Sequence, residues 1–237
     1  MSEFIYSGNE LELFAHAHQW KAYWKKQISP YLGQNVIDVG AGIGSNLALL
    51  WHKGAQWRCL EPDAALCNEI KRTAARLQLQ EGDCRIHNTT LGNLSADEPL
   101  ADTILYIDVL EHIEDDAGEL IAAQEKLAIG GHLILLAPAH QWLYSPFDEA
   151  VGHYRRYQKQ TLLGAAPSGL KLVRCRYLDA AGLLASAANK CLLKSSQPNQ
   201  KQIAFWDNAL VPASRLIDPL LGYRLGKTIL AVWQRVE

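Results

Sequence analysis

The stretch VIDVGAGIGSN (36–46) joins a short apolar run to the start of an amphipathic one through glycines at 40, 42 and 44. Val36–Val39 is short, branched and apolar, as a buried strand requires. The glycines let the chain turn sharply and bring backbone close to a ligand. The helix expected from Ser45 offers free N–H groups and the positive end of its dipole. A dinucleotide fingerprint, GxGxxG, would need Gly or Ala at position 45, where Ser45 stands. The spacing is GxGxG, and a tight turn holding no ligand is the competing reading.

Outward from this loop the chain alternates short apolar runs with amphipathic stretches, the pattern of a parallel sheet covered by helices. Residues 10–28 read as a helix stopped before Pro30. Strands are expected at 57–60, 84–87, 103–107, 132–137, 170–177 and 228–236. Helices are expected at 45–52, 64–79, 116–127 and 180–193, the third ended by Gly130-Gly131. Residues 138–160 follow neither period and read as a long loop or lid, and 195–222 as an irregular amphipathic insertion broken by Pro212 and Pro219. The expected fold is therefore α/β: a Rossmann-like, seven-stranded, mostly parallel sheet with helices on both faces. It forms one domain over 1–237, with residues 1–30 as a helical cover.

The chain's 237 residues, 49% apolar and 20% charged, exclude a disordered or collagen-like protein. A chain of this length buries roughly 70% of its unfolded surface and folds without staples. The N-terminus lacks the basic and apolar regions of a signal peptide. Five scattered cysteines, none in a CxxC pair, read as reduced thiols of a cytoplasmic protein and not as a zinc site, and no metal ligands are expected. The formal charge of −2 hides an asymmetry: residues 1–149 carry 10 basic and 21 acidic side chains, and residues 150–237 carry 13 and 4. Segregated charge of this kind steers ligands or surfaces.

Three further blocks carry chemistry. Glu61 closes the second strand, 21 residues after Gly40, where a carboxylate can accept both hydroxyls of a ribose. YIDVLEHIEDD (106–116) follows the fourth strand, and the glycine pair precedes HLILLAP (132–138).

In this order the blocks resemble a class I S-adenosylmethionine-dependent methyltransferase over about residues 30–140. The DVLEHI form is similar to the small-molecule and lipid-type members, and the (N/D)PPY motif of nucleic-acid and amide N-methyltransferases is missing. The resemblance implies S-adenosyl-L-methionine as cofactor and S-adenosyl-L-homocysteine as product. It sets the backbone of Gly40, Ala41, Gly42 and Gly44 against the methionine part, with Asp38 beneath. It puts Glu61 on the ribose, Pro62 and Thr90 near the adenine, and Asp108 near the methionine amine or the methyl group.

Methyl transfer to a hydroxyl needs the acceptor positioned and its proton removed. His112 is the first candidate base, with Asp108 beside it; the alternative is that His112 only bonds backbone. Glu111 is expected to cap or orient a neighbour. In the lid, His140, Tyr144, Asp148, His153, Tyr154, Arg155 and Arg156 are candidate acceptor contacts, with the arginines as a clamp for a phosphate or carboxylate. The competing reading has Asp148 pairing with an arginine to hold the loop shut.

The expected function is methylation of a small-molecule or lipid-like acceptor on oxygen. The acceptor is expected to be anionic or carrier-bound, the protein a monomer or homodimer, and the basic C-terminal part (Lys190, Lys194, Lys201, Arg215) turned toward an anionic acceptor, an acidic carrier or the inner face of a membrane. A nucleic-acid methyltransferase and an NAD-dependent oxidoreductase are the other classes weighed.

Overall fold

The computed structural model describes residues 14–190 and 199–237. Seven strands form one sheet in the order β3-β2-β1-β4-β5-β7-β6. They are β1 (Asn35–Val39), β2 (Gln56–Leu60), β3 (Cys84–His87), β4 (Ala101–Ile107), β5 (Leu127–Pro138), β6 (Leu170–Leu178) and β7 (Thr228–Arg235). Strands β1 to β5 pair in parallel, and β7 runs antiparallel between β5 and β6. Strand order reverses at β1, which has β2 on one side and β4 on the other. A crevice opens at the carboxyl ends of the strands at such a point, and ligands of open α/β sheets bind there. The expected fold class holds in full.

Alternation along the strands divides the core between two faces. Val36, Trp57, Leu105, Ile134 and Leu230 point to one face, Ile37, Leu60, Tyr106, Leu135 and Trp233 to the other. Helices α1 (His18–Ile28), α2 (Ser45–Leu50) and α3 (Ala64–Arg76) carry side chains into the first face, and α4 (Asp116–Lys126) packs on the second. Trp20, Tyr23 and Trp24 are buried against the sheet, so the aromatic face of α1 is core. Residues 1–13, which include the first four of the expected 10–28 helix, lie outside the described residues. So do 191–198, which include Cys191, Lys194, the end of the expected 180–193 helix and the first four residues of the expected irregular segment.

Three boundaries differ from the sequence reading, each for a local reason. The glycine pair does not end α4. Strand β5 already begins at Leu127, and its register against β4 shifts between Ala101 and Thr103. Gly130 has φ +83°, and a side chain on Gly131 would sit 2.9 Å from the carbonyl oxygens of Ala128 and Asp102. The pair therefore forms a bulge inside the strand, where only glycine fits. The lid contains helix α5 (Pro146–Ala150), and α6 (Lys159–Ala165) follows it; Ala139 and Tyr157 form a parallel bridge across its base. After α7 (Ala180–Ala188), the segment expected to be irregular is helical from Gln200 to Leu220. It runs as α8 (Gln200–Phe205), a π turn (Trp206–Leu210) and α9 (Val211–Leu220). Pro212 sits in the first turn of α9, where its missing N–H costs nothing, and Pro219 lies in the last turn.

Buried carboxylates fasten this C-terminal arm. Asp207 accepts the backbone N–H groups of Gln19 (3.1 Å) and Trp20 (2.8 Å), capping a helix whose own N-cap residue, Ala17, has no side-chain oxygen. Asp218 accepts from Tyr23 Oη (2.7 Å) and from the N–H groups of Asp179 (2.7 Å) and Ala180 (3.0 Å). Asp179 accepts from Trp206 Nε1 (2.6 Å), Ser214 Oγ (2.7 Å) and the Gly182 N–H (3.0 Å).

Candidate active site

A cavity of about 1090 Å³ lies over the carboxyl ends of β1, β4 and β5, between α1, the lid and the C-terminal arm. Its floor is the glycine loop. Gly40 has φ +63°, and a Cβ there would lie 2.7 Å from Val109 Cγ2, so the loop closes only on glycine. Gly40, Ala41 and Gly42 line the cavity with Ser45 and Asn46. Gly44 does not; it caps α2 at φ +79°.

Asp38 is fully buried beneath the loop, as expected. Its Oδ1 accepts from Asn46 Nδ2 (3.0 Å), and burial pushes its carboxyl up to about 7. Glu61 closes β2 behind the loop. Its Oε2 accepts the Gly42 N–H at 2.8 Å and its Oε1 the Asp63 N–H at 3.0 Å, while burial raises its carboxyl despite both bonds. Pro62 stands next to it. Thr90 is exposed beyond β3 and bonds Asn93, outside the cavity wall. Its expected place at the adenine therefore has no side-chain support here.

Asp108 follows the tip of β4 in a left-handed conformation (φ +55°), its N–H held by the Leu136 carbonyl at 2.8 Å. This costs a non-glycine residue free energy and is a mark of functional positions. The side chain is open to the cavity, not to the outer surface. The protein enclosing it still raises its carboxyl to about 6, against the opposing charges of His153, Lys227 and Lys21. Lys21 comes from α1, and Lys227 from the turn before β7. Because β7 is antiparallel, its first residues arrive at the same edge as the last residues of β5, with Thr228 opposite Pro138. That topology is the signal by which Lys227 could have been found; no motif marks it. Burial lowers the pKa of both lysines, and Lys227 also stands 3.5 Å from Asp179.

The turn Leu110–His112 and the lid close the opposite wall. His112 lines the cavity, its ring edge-on to His153 with centroids 4.6 Å apart. Burial, and then the neighbouring His153, lower its pKa to about 4, so it is a neutral imidazole at pH 7. Glu111 is not an exposed cap. It is wholly buried and lines the same wall, with Oε1 4.0 Å from His153 Nε2.

Asp148 is the centre of the lid and is fully buried. It accepts from Arg156 Nε (2.8 Å) and Nη2 (2.9 Å), His153 Nδ1 (2.8 Å) and Ser145 N and Oγ (2.9 Å each). Burial alone would raise its carboxyl, but the bonds from His153 and Arg156 outweigh it and hold it well below the usual carboxylate range. Asp148 therefore holds the loop shut, with Arg156 as its partner, and does not reach an acceptor.

Arg155 is likewise committed. Its Nη1 lies 2.7 Å from Asp116, and its Nη2 donates to the Glu114 carbonyl at 2.7 Å. It stands outside the cavity wall, so the expected paired-arginine clamp does not form. His140 bonds the Gly226 carbonyl (2.9 Å) and stacks on Tyr177, and Tyr154 is exposed with its N–H on the Glu111 carbonyl; neither lines the cavity. Of the lid candidates, Tyr144, His153 and Arg156 do. Lys190, which donates to the carbonyls of Trp142 and Tyr144, and Lys201 complete a cationic rim.

A family model described as a methyltransferase domain matches residues 16–181. The chain belongs to that family. Among solved structures it is similar to geranyl diphosphate C-methyltransferase from Streptomyces coelicolor A3(2), in complex with Mg2+, geranyl diphosphate and S-adenosyl-L-homocysteine. The two share 14% identity at a TM-score of 0.66, over 97% of this chain and 85% of that one. It is also similar to coclaurine N-methyltransferase bound to N-methylheliamine and S-adenosylhomocysteine (15%, TM-score 0.62, 92% and 72%). A third similar structure is the [4+2]-cyclase SpnF (12%, TM-score 0.64, 96% and 94%). At these identities the likeness concerns the fold.

Proposed function

We propose that this methyltransferase moves a methyl group from S-adenosyl-L-methionine to a hydroxyl oxygen of an anionic, largely apolar small molecule. One observation carries the reading: a single cavity joins the glycine loop and Asp108 to a pair of imidazoles and a rim of lysines. Ligand pockets usually measure about 300–1,000 Å³, so 1090 Å³ has room for a cofactor and an acceptor together. The methionine part lies on the backbone of Gly40–Gly42. Asp108 receives its ammonium group and Lys21 its carboxylate. The ribose hydroxyls donate to Glu61, which stands just behind the cavity wall and there holds the Gly42 and Asp63 N–H groups. Lys190, Lys201 and Lys227 meet the acceptor's negative charge, and Leu143, Ile203 and Trp206 its apolar body.

The acceptor hydroxyl faces His112 and His153. Its proton passes to this imidazole pair, an oxygen lone pair attacks the methyl carbon, and the electrons of the methyl–sulfur bond return to sulfur. The product is a methyl ether and a neutral thioether, S-adenosyl-L-homocysteine. On the same fold, geranyl diphosphate C-methyltransferase binds an acceptor that is both apolar and anionic.

The test is S-adenosylhomocysteine release with a panel of phenolic, acyl and isoprenoid acceptors beside amines of equal size. Hydroxyl acceptors are expected to turn over, and turnover of amines alone would overturn the oxygen assignment. His112→Ala is expected to lower kcat about 10²-fold, a usual share for acid–base catalysis, with the cofactor Kd nearly unchanged. Unchanged kcat would remove His112 from proton transfer.

A second reading concerns where the acceptor resides. Leu216 and Leu220 on α9 are 73% and 86% exposed, with Leu225 and Arg224 close behind in the chain and Phe205 exposed near the cavity rim. Apolar side chains flanked by cations suit an anionic membrane surface. Among the described residues no helix is long and apolar enough to cross a membrane. Flotation with anionic liposomes at low salt is expected to carry the protein, and Leu216→Asp/Leu220→Asp to release it. Flotation unaffected by the double variant would place the contact elsewhere.

A further inference from the structure

Glu111 presents the cavity with a problem that the acceptor reading leaves unsolved. It is wholly buried, no other residue donates a hydrogen bond to either carboxylate oxygen, and burial pushes its carboxyl well up despite its own backbone N–H and the more distant charge of Arg156. A buried carboxylate so placed takes a proton or a cation. Arg156 does not pair with it, because two of its nitrogens are bonded to Asp148.

Two imidazoles stand around it. One ligand-type atom from each of Glu111, His112 and His153 lies within 4.8 Å of the other two. Both rings are oriented from behind. His153 donates its Nδ1–H to the buried carboxylate of Asp148 at 2.8 Å, and its other ring nitrogen, Nε2, lies 4.0 Å from Glu111 Oε1. His112 bonds the backbone of Val151 and Gly152 through its ring. Metal-binding histidines are held in this way, one nitrogen on a carboxylate or carbonyl and the other on the ion.

We propose that Glu111, His112 and His153 form a site for a divalent first-row transition-metal cation, with its open coordination positions facing the acceptor cavity. Two imidazoles and one carboxylate suit zinc and its neighbours in that row, whereas Mg2+ and Ca2+ prefer a shell of oxygens. Ligand atoms bonded to zinc at about 2.0–2.2 Å stand roughly 3–3.5 Å apart, so the three side chains draw in by about 1 Å on binding. The described cysteines play no part; Cys59, Cys67, Cys84 and Cys175 sit in β2, α3, β3 and β6 as free thiols. No metal ligands are expected from the cysteine pattern.

Cation binding is independent of the reaction. Its role rests on the acceptor reading: when bound, the cation would be held by Glu111, His112 and His153 and would supply Lewis-acid acidification to an acceptor hydroxyl, and the two imidazoles would then act as its ligands and not as the base.

The experiment uses the full chain, freed of metal with a chelator and titrated with Zn2+ alone by calorimetry and with Co2+ alone by visible absorption. One equivalent is expected to bind at micromolar Kd or tighter, with cobalt bands of a nitrogen–oxygen site. Glu111→Gln and His153→Gln are each expected to weaken it at least tenfold while still melting cooperatively. No binding by wild-type protein overturns the proposal, as does equal binding by both variants. If Glu111→Gln fails to fold, His153→Gln and the wild-type cobalt spectrum decide. S-adenosylhomocysteine binding, measured on the same metal-free protein, reports separately: its absence would count against the cofactor reading and not against the metal site.

Discussion

Asp148→Ala is expected to destabilise the protein by about 3 kcal/mol or more, the usual cost of stripping one partner from a buried ion pair. Five hydrogen bonds converge on this carboxylate, from Ser145, His153 and Arg156. Removing it strands the Arg156 guanidinium at the cavity wall and frees the His153 ring to turn. The double variant Asp148→Ala/Arg156→Ala is expected to cost less than the two single losses added, since both belong to one network. Asp148→Asn keeps the shape and removes the charge. Because the folded carboxyl lies below its unfolded value, its contribution is present above the unfolded pKa of about 3.9 and is lost as pH falls through the folded pKa. The wild-type lid therefore stays locked across the neutral range, and Asp148→Asn should flatten that part of the acid unfolding profile. Urea unfolding at pH 7 and at pH 3 measures both quantities. A loss under 1 kcal/mol in the alanine variant would show that the lid is held elsewhere.

Glu61→Ala should raise the Kd for S-adenosylhomocysteine by roughly 10²-fold to 10⁴-fold. Each hydrogen bond from a ribose hydroxyl to a carboxylate contributes about 1.5–3 kcal/mol, and two are at stake. The same change leaves the N–H groups of Gly42 and Asp63 without their acceptor, so the loop loses its brace as well as the ligand its anchor. Glu61→Gln separates the two effects: its amide oxygen can still take one N–H, and the affinity should recover in part. Calorimetric titration of the three proteins is sufficient, and an unchanged Kd in Glu61→Ala would end the ribose assignment.

The glycine-loop half of the proposed site was legible because its residues are local. The glycines at 40, 42 and 44, Glu61 at a strand end and Asp108 after the next strand but one all lie within a turn of an element whose apolar pattern is plain. The acceptor half is assembled from distant parts, and there residue type misled. Arg155 and Arg156 are adjacent in sequence, yet one turns to Asp116 on α4 and the other to Asp148 within the lid. Lys21 and Lys227 reach the same cavity from opposite ends of the chain and belong to no motif. Glu111 reads as a helix-start carboxylate, and only burial shows that it faces two imidazoles. Prolines at 212 and 219 suggested an irregular segment, because a π turn ahead of the first and a helix end at the second are invisible to periodicity.

The antiparallel strand β7 carries a consequence for how the molecule comes into being on the ribosome. It follows every other strand in sequence, yet it is wedged between β5 and β6. Until residues 228–235 have emerged, β6 has no partner and the flank of β5 is an open template for foreign strands. The glycine-loop end of the sheet can form while synthesis is under way, but the opposite wall of the cavity closes only when the C-terminal arm arrives. Chains interrupted between residues 180 and 227 would therefore be the ones most in need of a chaperone.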